Sequence, residues 1–312
     1  MKFVCSFLIV YIHTYNHDWG VIGEWFYTNL SPVGVPFFFI VSGFLYAKGL
    51  KNASEQKHYF KRYFKRMVYM YLFWTVITFP VDWMNVCIAH GDYNFVWKVI
   101  YQVRCFFFTG SLGIYWYLLA LIYNSIIIYY AQKWDKLFLL YVISFFFFVI
   151  GVLYNGGLIR QTIIGDIIYV VIGSERNFLN VGLFYMCMGV FLFKKRFVMR
   201  KRFTIFLLVL SVVLSTILNS ISSYRIMQAP IAFLLFMFAI QFEFVKSKRS
   251  SMRLRKWSTV IYLGHFPFIL IFDYYLMRGS IIDVPISILF SFVLYYSISK
   301  VFPDGLVKIA YG

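Results

Sequence analysis

Apolar runs of close to one membrane thickness recur along the chain, each ended by a short basic or turn-rich break. A spanning helix needs about 20 mainly apolar residues. Ten segments approach that length: 1–14, 33–50, 67–89, 113–131, 137–154, 178–193, 203–221, 227–245, 258–276 and 284–301. The pattern predicts an all-α membrane protein, a bundle of about ten transmembrane helices. There is no internal repeat and no low-complexity tail, and only PDGLVKIAYG follows the last run. A single transmembrane domain over 1–312 is expected, with no appended soluble domain. The first run is short for a span, which suggests a natural start upstream or a trimmed chain. Two outer stretches, 96–110 and 158–173, are apolar but too short or interrupted to span, and are expected along the outer interface or folded back into the protein.

Composition strengthens the membrane reading. Hydrophobic residues make up 62% of the 312 and charged residues 13%, where an ordinary soluble domain carries about 25% charge. The net charge of +18 does not point to nucleic acid, because the cations sit in blocks between apolar runs. If the N-terminus is inside, 24 of the 30 lysines and arginines face the cytoplasm. The positive-inside rule is then obeyed without an inverted loop, so both termini are expected to be cytoplasmic. The four cysteines, Cys5, Cys87, Cys105 and Cys187, have neither paired nor metal-ligand spacing, so no disulfide framework and no metal is expected.

Ionisable groups inside spans are costly, roughly 2.5–3.5 kcal/mol at a helix centre, and each is a functional candidate. They are His13, Asp82, His265 and Asp273, with Glu243 near an inner edge. An imidazole beside a water-accessible pocket can act as a general base near pH 7; the plainer role for His13 is a hydrogen bond to a neighbouring helix. Asp82 and Asp273 fall near outer helix ends, where water reaches them. Arg62 and Arg66 are four apart, on one helical face. Guanidinium groups there match phosphate oxygens, although positive-inside anchoring explains the same residues. The stretch 32–49 combines Pro32 and Pro36 with small Gly34, Ser42 and Gly43, which permit close approach by another backbone or by a slender acyl arm.

Taken together, these stretches resemble acyltransferase family 3 of bacterial integral membrane proteins. The family's basic residue eleven positions before a histidine is matched by Lys2 and His13, and its FF..SGF helix by FFFIVSGF at 37–44. Its Arg-rich start to the third helix is matched by FKRYFKRM at 60–67, and its WYL at 116–118. RNFLNVGLFYMCMGVFL at 176–192 and STVIYLGHFP at 258–267 complete six matches in order. The resemblance implies transfer of an acyl group, usually acetyl, from cytoplasmic acyl-CoA to a hydroxyl of a cell-surface glycan or its lipid-linked precursor. By that resemblance His13 is the catalytic base. Lys2, Arg62 and Arg66 bind CoA, and Ser42 and Gly43 line the acyl passage. Trp116, Arg176, Tyr262 and His265 are candidates for acceptor binding or its support. Three positions depart from the family pattern: Arg62 and Arg66 are four apart where three is commoner, Lys2 replaces an arginine, and Met70 stands where proline is common.

The expected location is the bacterial cytoplasmic membrane, with the lipid bilayer, the glycan acceptor and polysaccharide-assembly proteins as partners. Two other functions compete with O-acyltransfer from acetyl-CoA. One is a transporter or flippase moving a glycan, a lipid-linked sugar or an amino acid without chemistry. The other is a non-catalytic member of a polysaccharide-assembly complex.

Overall fold

The computed structural model describes residues 1–167, 177–221, 226–242, 247–275 and 281–311, and these form helices with no strand among them. In order they are α1 (Lys2–Thr14), α2 (Gly20–Asn29), α3 (Gly34–Asn52), α4 (Gln56–Ala89), α5 (Phe95–Phe108), α6 (Trp116–Lys133) and α7 (Leu137–Asn155). Then come α8 (Ile163–Ile167), α9 (Phe184–Lys195), α10 (Lys201–Ile221), α11 (Gln228–Gln241), α12 (Lys248–Tyr275), α13 (Asp283–Val301) and α14 (Asp304–Tyr311). A π-helical turn, Phe178–Leu183, leads directly into α9.

Among the described residues, six helical segments are long and apolar enough to cross a membrane: His17–Asn52, Gln56–Ala89, Leu137–Asn155, Phe178–Lys195, Lys201–Asn219 and Asp283–Val301. The remaining expected spans coincide with α1, α6, α11 and the later part of α12. Residues 15–32 contain α2. As the four-residue spacing of Arg62 and Arg66 implies, the basic leader of α4 is helical from Gln56, and that of α12 is helical from Lys248. One expectation needs correction here. Asp82 is buried and accepts from the Gln102 amide on α5 rather than facing water. The side chains of Asp273 and Glu243 lie outside the described residues.

The distribution of polar groups identifies the solvent. Along α10 the buried side chains are Thr204, Ser211 and Ser215, while Phe206, Val209, Val213 and Ile217 are exposed. On α13 the buried set is Ser287, Ser291 and Ile298, with Leu289 and Val293 outside. A water-soluble helix would be reversed; hydroxyls inside and hydrocarbon outside are what lipid demands. Asn29 on α2 uses this arrangement, its Oδ1 accepting from Ser215 Oγ at 2.8 Å and Asn219 Nδ2 at 3.0 Å.

Two close approaches set the centre of the bundle. Helices α3 and α9 cross on reciprocal glycines: a Cβ on Gly43 would strike the Met186 carbonyl, and one on Gly189 the Ile40 carbonyl. On α12, Pro267 lacks the amide that would bond the Leu263 carbonyl four residues back. The buried Tyr115 hydroxyl donates to that carbonyl instead, at 3.2 Å. Tyr262 returns the contact, donating to the Ile114 carbonyl at 2.7 Å. These paired bonds hold α12 against the start of α6.

Candidate functional site

Helix α1 carries a basic residue at one end and an imidazole at the other, and each faces a different cavity. Around the first end is a cavity of about 700 Å³ lined by Lys2, Ser42, Arg66, Arg255, Lys256 and Lys308 together with Tyr117, Tyr262 and Tyr311. Its cations come from four helices, α1, α4, α12 and α14, so it is a converging basic mouth and not one charged loop. A neighbouring cavity of about 610 Å³ is lined by His58, Lys61, Arg62, Lys65, Arg66 and Lys308. Arg66 and Lys308 line both. Arg62 faces only the second, with its guanidinium 5.9 Å from the Tyr59 ring.

A third cavity, of about 120 Å³, holds the imidazole. His13 and Ile12 form one side, Pro32 and Pro36 at the start of α3 another, and Trp116, Asn155, Asn180 and Gln228 complete the polar and aromatic lining. One of these residues, Asn180, is placed by the backbone around it. Asn177 caps the π-turn, its Oδ1 accepting from the amides of Leu179 at 2.8 Å and Asn180 at 2.9 Å. The Asn180 Nδ2 is buried with no hydrogen-bond partner. Local π-turns inside helices are frequent where a side chain must be re-aimed.

A wall of rings closes the basic cavity where α3, α6 and α12 meet. Phe38 stacks on Tyr262 at 5.9 Å and meets Tyr117 edge-on at 6.1 Å. Ser42 Oγ and Tyr117 OH share a hydrogen bond of 2.8 Å in that wall. The Lys2 ammonium lies 5.5 Å from the Phe38 ring on the basic side. Behind His13 sits fully buried His265, ring centroids 5.5 Å apart. Ser258 fixes this register by donating to the Lys2 carbonyl at 3.1 Å, which lays α12 alongside α1.

The family model for the acyltransferase domain of type 3 matches residues 1–300. The chain belongs to the acyltransferase 3 family. Two proteins from Enterococcus faecalis, each described as an amino-acid racemase, are also similar. One is 22% identical over 197 residues, 60% of this chain and 27% of the relative. The other is 26% identical over 190 residues, 59% of this chain and 25% of the relative. The chain thus spans about a quarter of the length of these curated relatives. No solved structure matches it.

Against the expectations for an acyltransferase of this family, the structure gathers Lys2, Ser42 and Arg66 on the basic cavity and places Arg62 on its neighbour. Trp116 shares a cavity with His13. Tyr262 lines the basic cavity instead, and His265 lies behind His13, outside the lining of the three cavities. Gly43 does not line a passage: it is consumed by the crossing with α9. Arg176 lies outside the described residues. Several lining residues were missed. Arg255 and Lys256 were hidden in a six-cation stretch that reads as membrane anchoring, and Lys308 in a short tail. Asn155, Asn180 and Gln228 belong to three separated segments, and only the fold brings them together.

Proposed function

We propose that this acyltransferase-family protein moves an acyl group, acetyl in the first instance, from cytoplasmic acyl-CoA to a hydroxyl of a cell-surface glycan or its lipid-linked precursor. The reading includes ten spans with both termini in the cytoplasm, in a bacterial cytoplasmic membrane. One observation carries it: two cavities of opposite chemistry meet on the same three helices, α1, α3 and α6. The basic one suits a polyphosphate donor, since guanidinium and ammonium groups bond phosphate oxygens strongly. The other offers an imidazole, an indole and three carboxamides, a set that can take a sugar face and its hydroxyls. His13 would accept the proton of the acceptor hydroxyl as its oxygen attacks the thioester carbonyl. The carbon–sulfur bond then breaks, CoA leaves as thiolate, and the proton passes from His13 to that sulfur. Acyl-CoA stays on the cytoplasmic side, and only the acyl end passes the ring wall.

The test is transfer of labelled acetyl from acetyl-CoA by the purified chain in nanodiscs, with surface glycan from a strain lacking the protein analysed by mass. Loss of both O-acetylation and transfer in His13→Ala, at wild-type protein level, is the expected result. Unchanged acetylation overturns the proposal. A transporter or flippase for a glycan, a lipid-linked sugar or an amino acid, acting without chemistry, is the second reading. It predicts solute uptake that does not depend on CoA, Arg62 or Arg66. A non-catalytic assembly partner would keep the pathway running with His13 and Arg66 both replaced.

A further inference from the structure

The family match ends at residue 300, yet the basic cavities do not. Helix α14 follows that boundary, and four of its residues, Asp304, Val307, Lys308 and Tyr311, line the larger cavity. Gly305, Lys308 and Ile309 line the neighbouring one. The helix is fixed there: the buried Trp74 indole donates to the Ala310 carbonyl at 2.8 Å, and the Tyr311 ring meets Trp74 at 5.4 Å and Tyr295 at 4.9 Å. So the end of the chain is a wall between two basic chambers.

Two polar groups on this wall are not what holds it in place, the Lys308 ammonium and the Tyr311 hydroxyl. Lys308 is exposed and belongs to both cavities, as Arg66 does from the opposite helix. Tyr311 is 3% exposed, and its hydroxyl is buried with no hydrogen-bond partner. Leaving a buried hydroxyl unpaired is unfavourable, so its retention at a cavity wall points to a ligand that pairs with it. Burial, with Tyr295 adding to it, pushes the phenol well above its ordinary range, so it remains protonated and can donate.

We propose that α14 is part of the donor site: Lys308 grips donor phosphates where the chambers join, and the Tyr311 hydroxyl bonds an amide carbonyl of the donor's arm. The nucleotide end then occupies the chamber of His58, Lys61, Arg62 and Lys65, and the arm runs past Tyr311 toward Ser42 and Tyr117. This inference rests on the acyl-CoA reading above.

The test is calorimetric titration of the full chain in nanodiscs with CoA and with adenosine 3′,5′-bisphosphate. Lys308→Ala is expected to weaken both ligands about tenfold, as for one charge-assisted phosphate contact. Lys308→Arg should restore most of the loss. Tyr311→Phe should weaken CoA about threefold and leave the bisphosphate unchanged, since only CoA has the arm. Lys308 is exposed and Tyr311→Phe keeps the ring, so neither variant should disturb folding. Wild-type protein that binds CoA, with both variants matching it, overturns this inference alone. Wild-type protein that binds no CoA overturns the parent reading as well. A Lys308 effect present only in anionic nanodiscs would mean a lipid headgroup occupies the site, and would also overturn it.

Discussion

Gly189→Ala sets two effects of opposite sign against each other. In an ordinary helix the change gains roughly 1 kcal/mol of propensity. Here the new Cβ would meet the Ile40 carbonyl oxygen, the Phe44 amide nitrogen at 2.7 Å and the Ile40 carbonyl carbon at 2.9 Å. All three are backbone atoms, so no side chain can swing aside and the helices themselves must part. Overpacking a tight interface costs about 1–3 kcal/mol, and an all-backbone obstacle belongs at the upper end. After the propensity gain, about 2 kcal/mol of destabilisation remains, or roughly 4–8 °C in Tm. Thermal unfolding in detergent, followed by intrinsic fluorescence, measures it. Gly91→Ala is the control, since its Cβ would meet nothing nearer than 3.8 Å. Gly43→Ala loads the same crossing from the other side. Once either substitution has parted the helices the other should cost less, giving a sub-additive double variant. A Gly189→Ala protein as stable as wild type, or more so, would refute the reasoning.

His13→Ala should lower transfer by about 10²–10⁴, the usual worth of a positioned general base, measured as acetyl transfer in nanodiscs at matched protein level. Arg66→Ala should raise the Kd for CoA more than Arg62→Ala, because Arg66 lines both basic cavities and Arg62 one; equal effects in titration would contradict the shared-wall geometry. Tyr117→Phe strands the Ser42 hydroxyl inside the ring wall and should cost about 1–3 kcal/mol of stability. Adding Ser42→Ala should return part of that loss in the same unfolding assay.

Much of this arrangement is readable from local spacing. Ten apolar runs mark helices, and a lysine eleven residues before a histidine separates a basic end from an imidazole end by about 16 Å at 1.5 Å per residue. Arg66 four residues after Arg62 shares its face. Other features depend on contacts between distant segments. A small residue such as Gly43 admits either a ligand or another helix, and nothing in its neighbourhood reveals that Met186 takes the space. Residues 17–29 have turn-forming His17, Asp18 and Gly20, so a helix beginning at Gly20 is masked. The basic mouth combines residues 2, 66, 255 and 308, and its cations only meet when the ends of the chain do.

His265 shows what such a contact can reveal about chemistry. Its Nδ1 lies 2.8 Å from the Ile261 carbonyl, and a carbonyl can only accept, so the proton sits on Nδ1. Nε2 is then a bare lone pair, buried and without a hydrogen-bond partner. An unpaired buried acceptor costs about 1–3 kcal/mol, so the fold alone would be better served by an apolar side chain of similar volume. What lies nearby is the His13 ring, 5.5 Å away. On the proposed mechanism His13 takes a proton, and a buried lone pair on the neighbouring ring would then favour the imidazolium; in that reading His265 is a positioning residue. His265→Leu should therefore keep or raise Tm while lowering transfer at least about tenfold, with a changed pH profile as His13 loses its neighbour. A purely structural histidine would give the opposite: a lower Tm, with the rate per folded molecule and its pH profile unmoved.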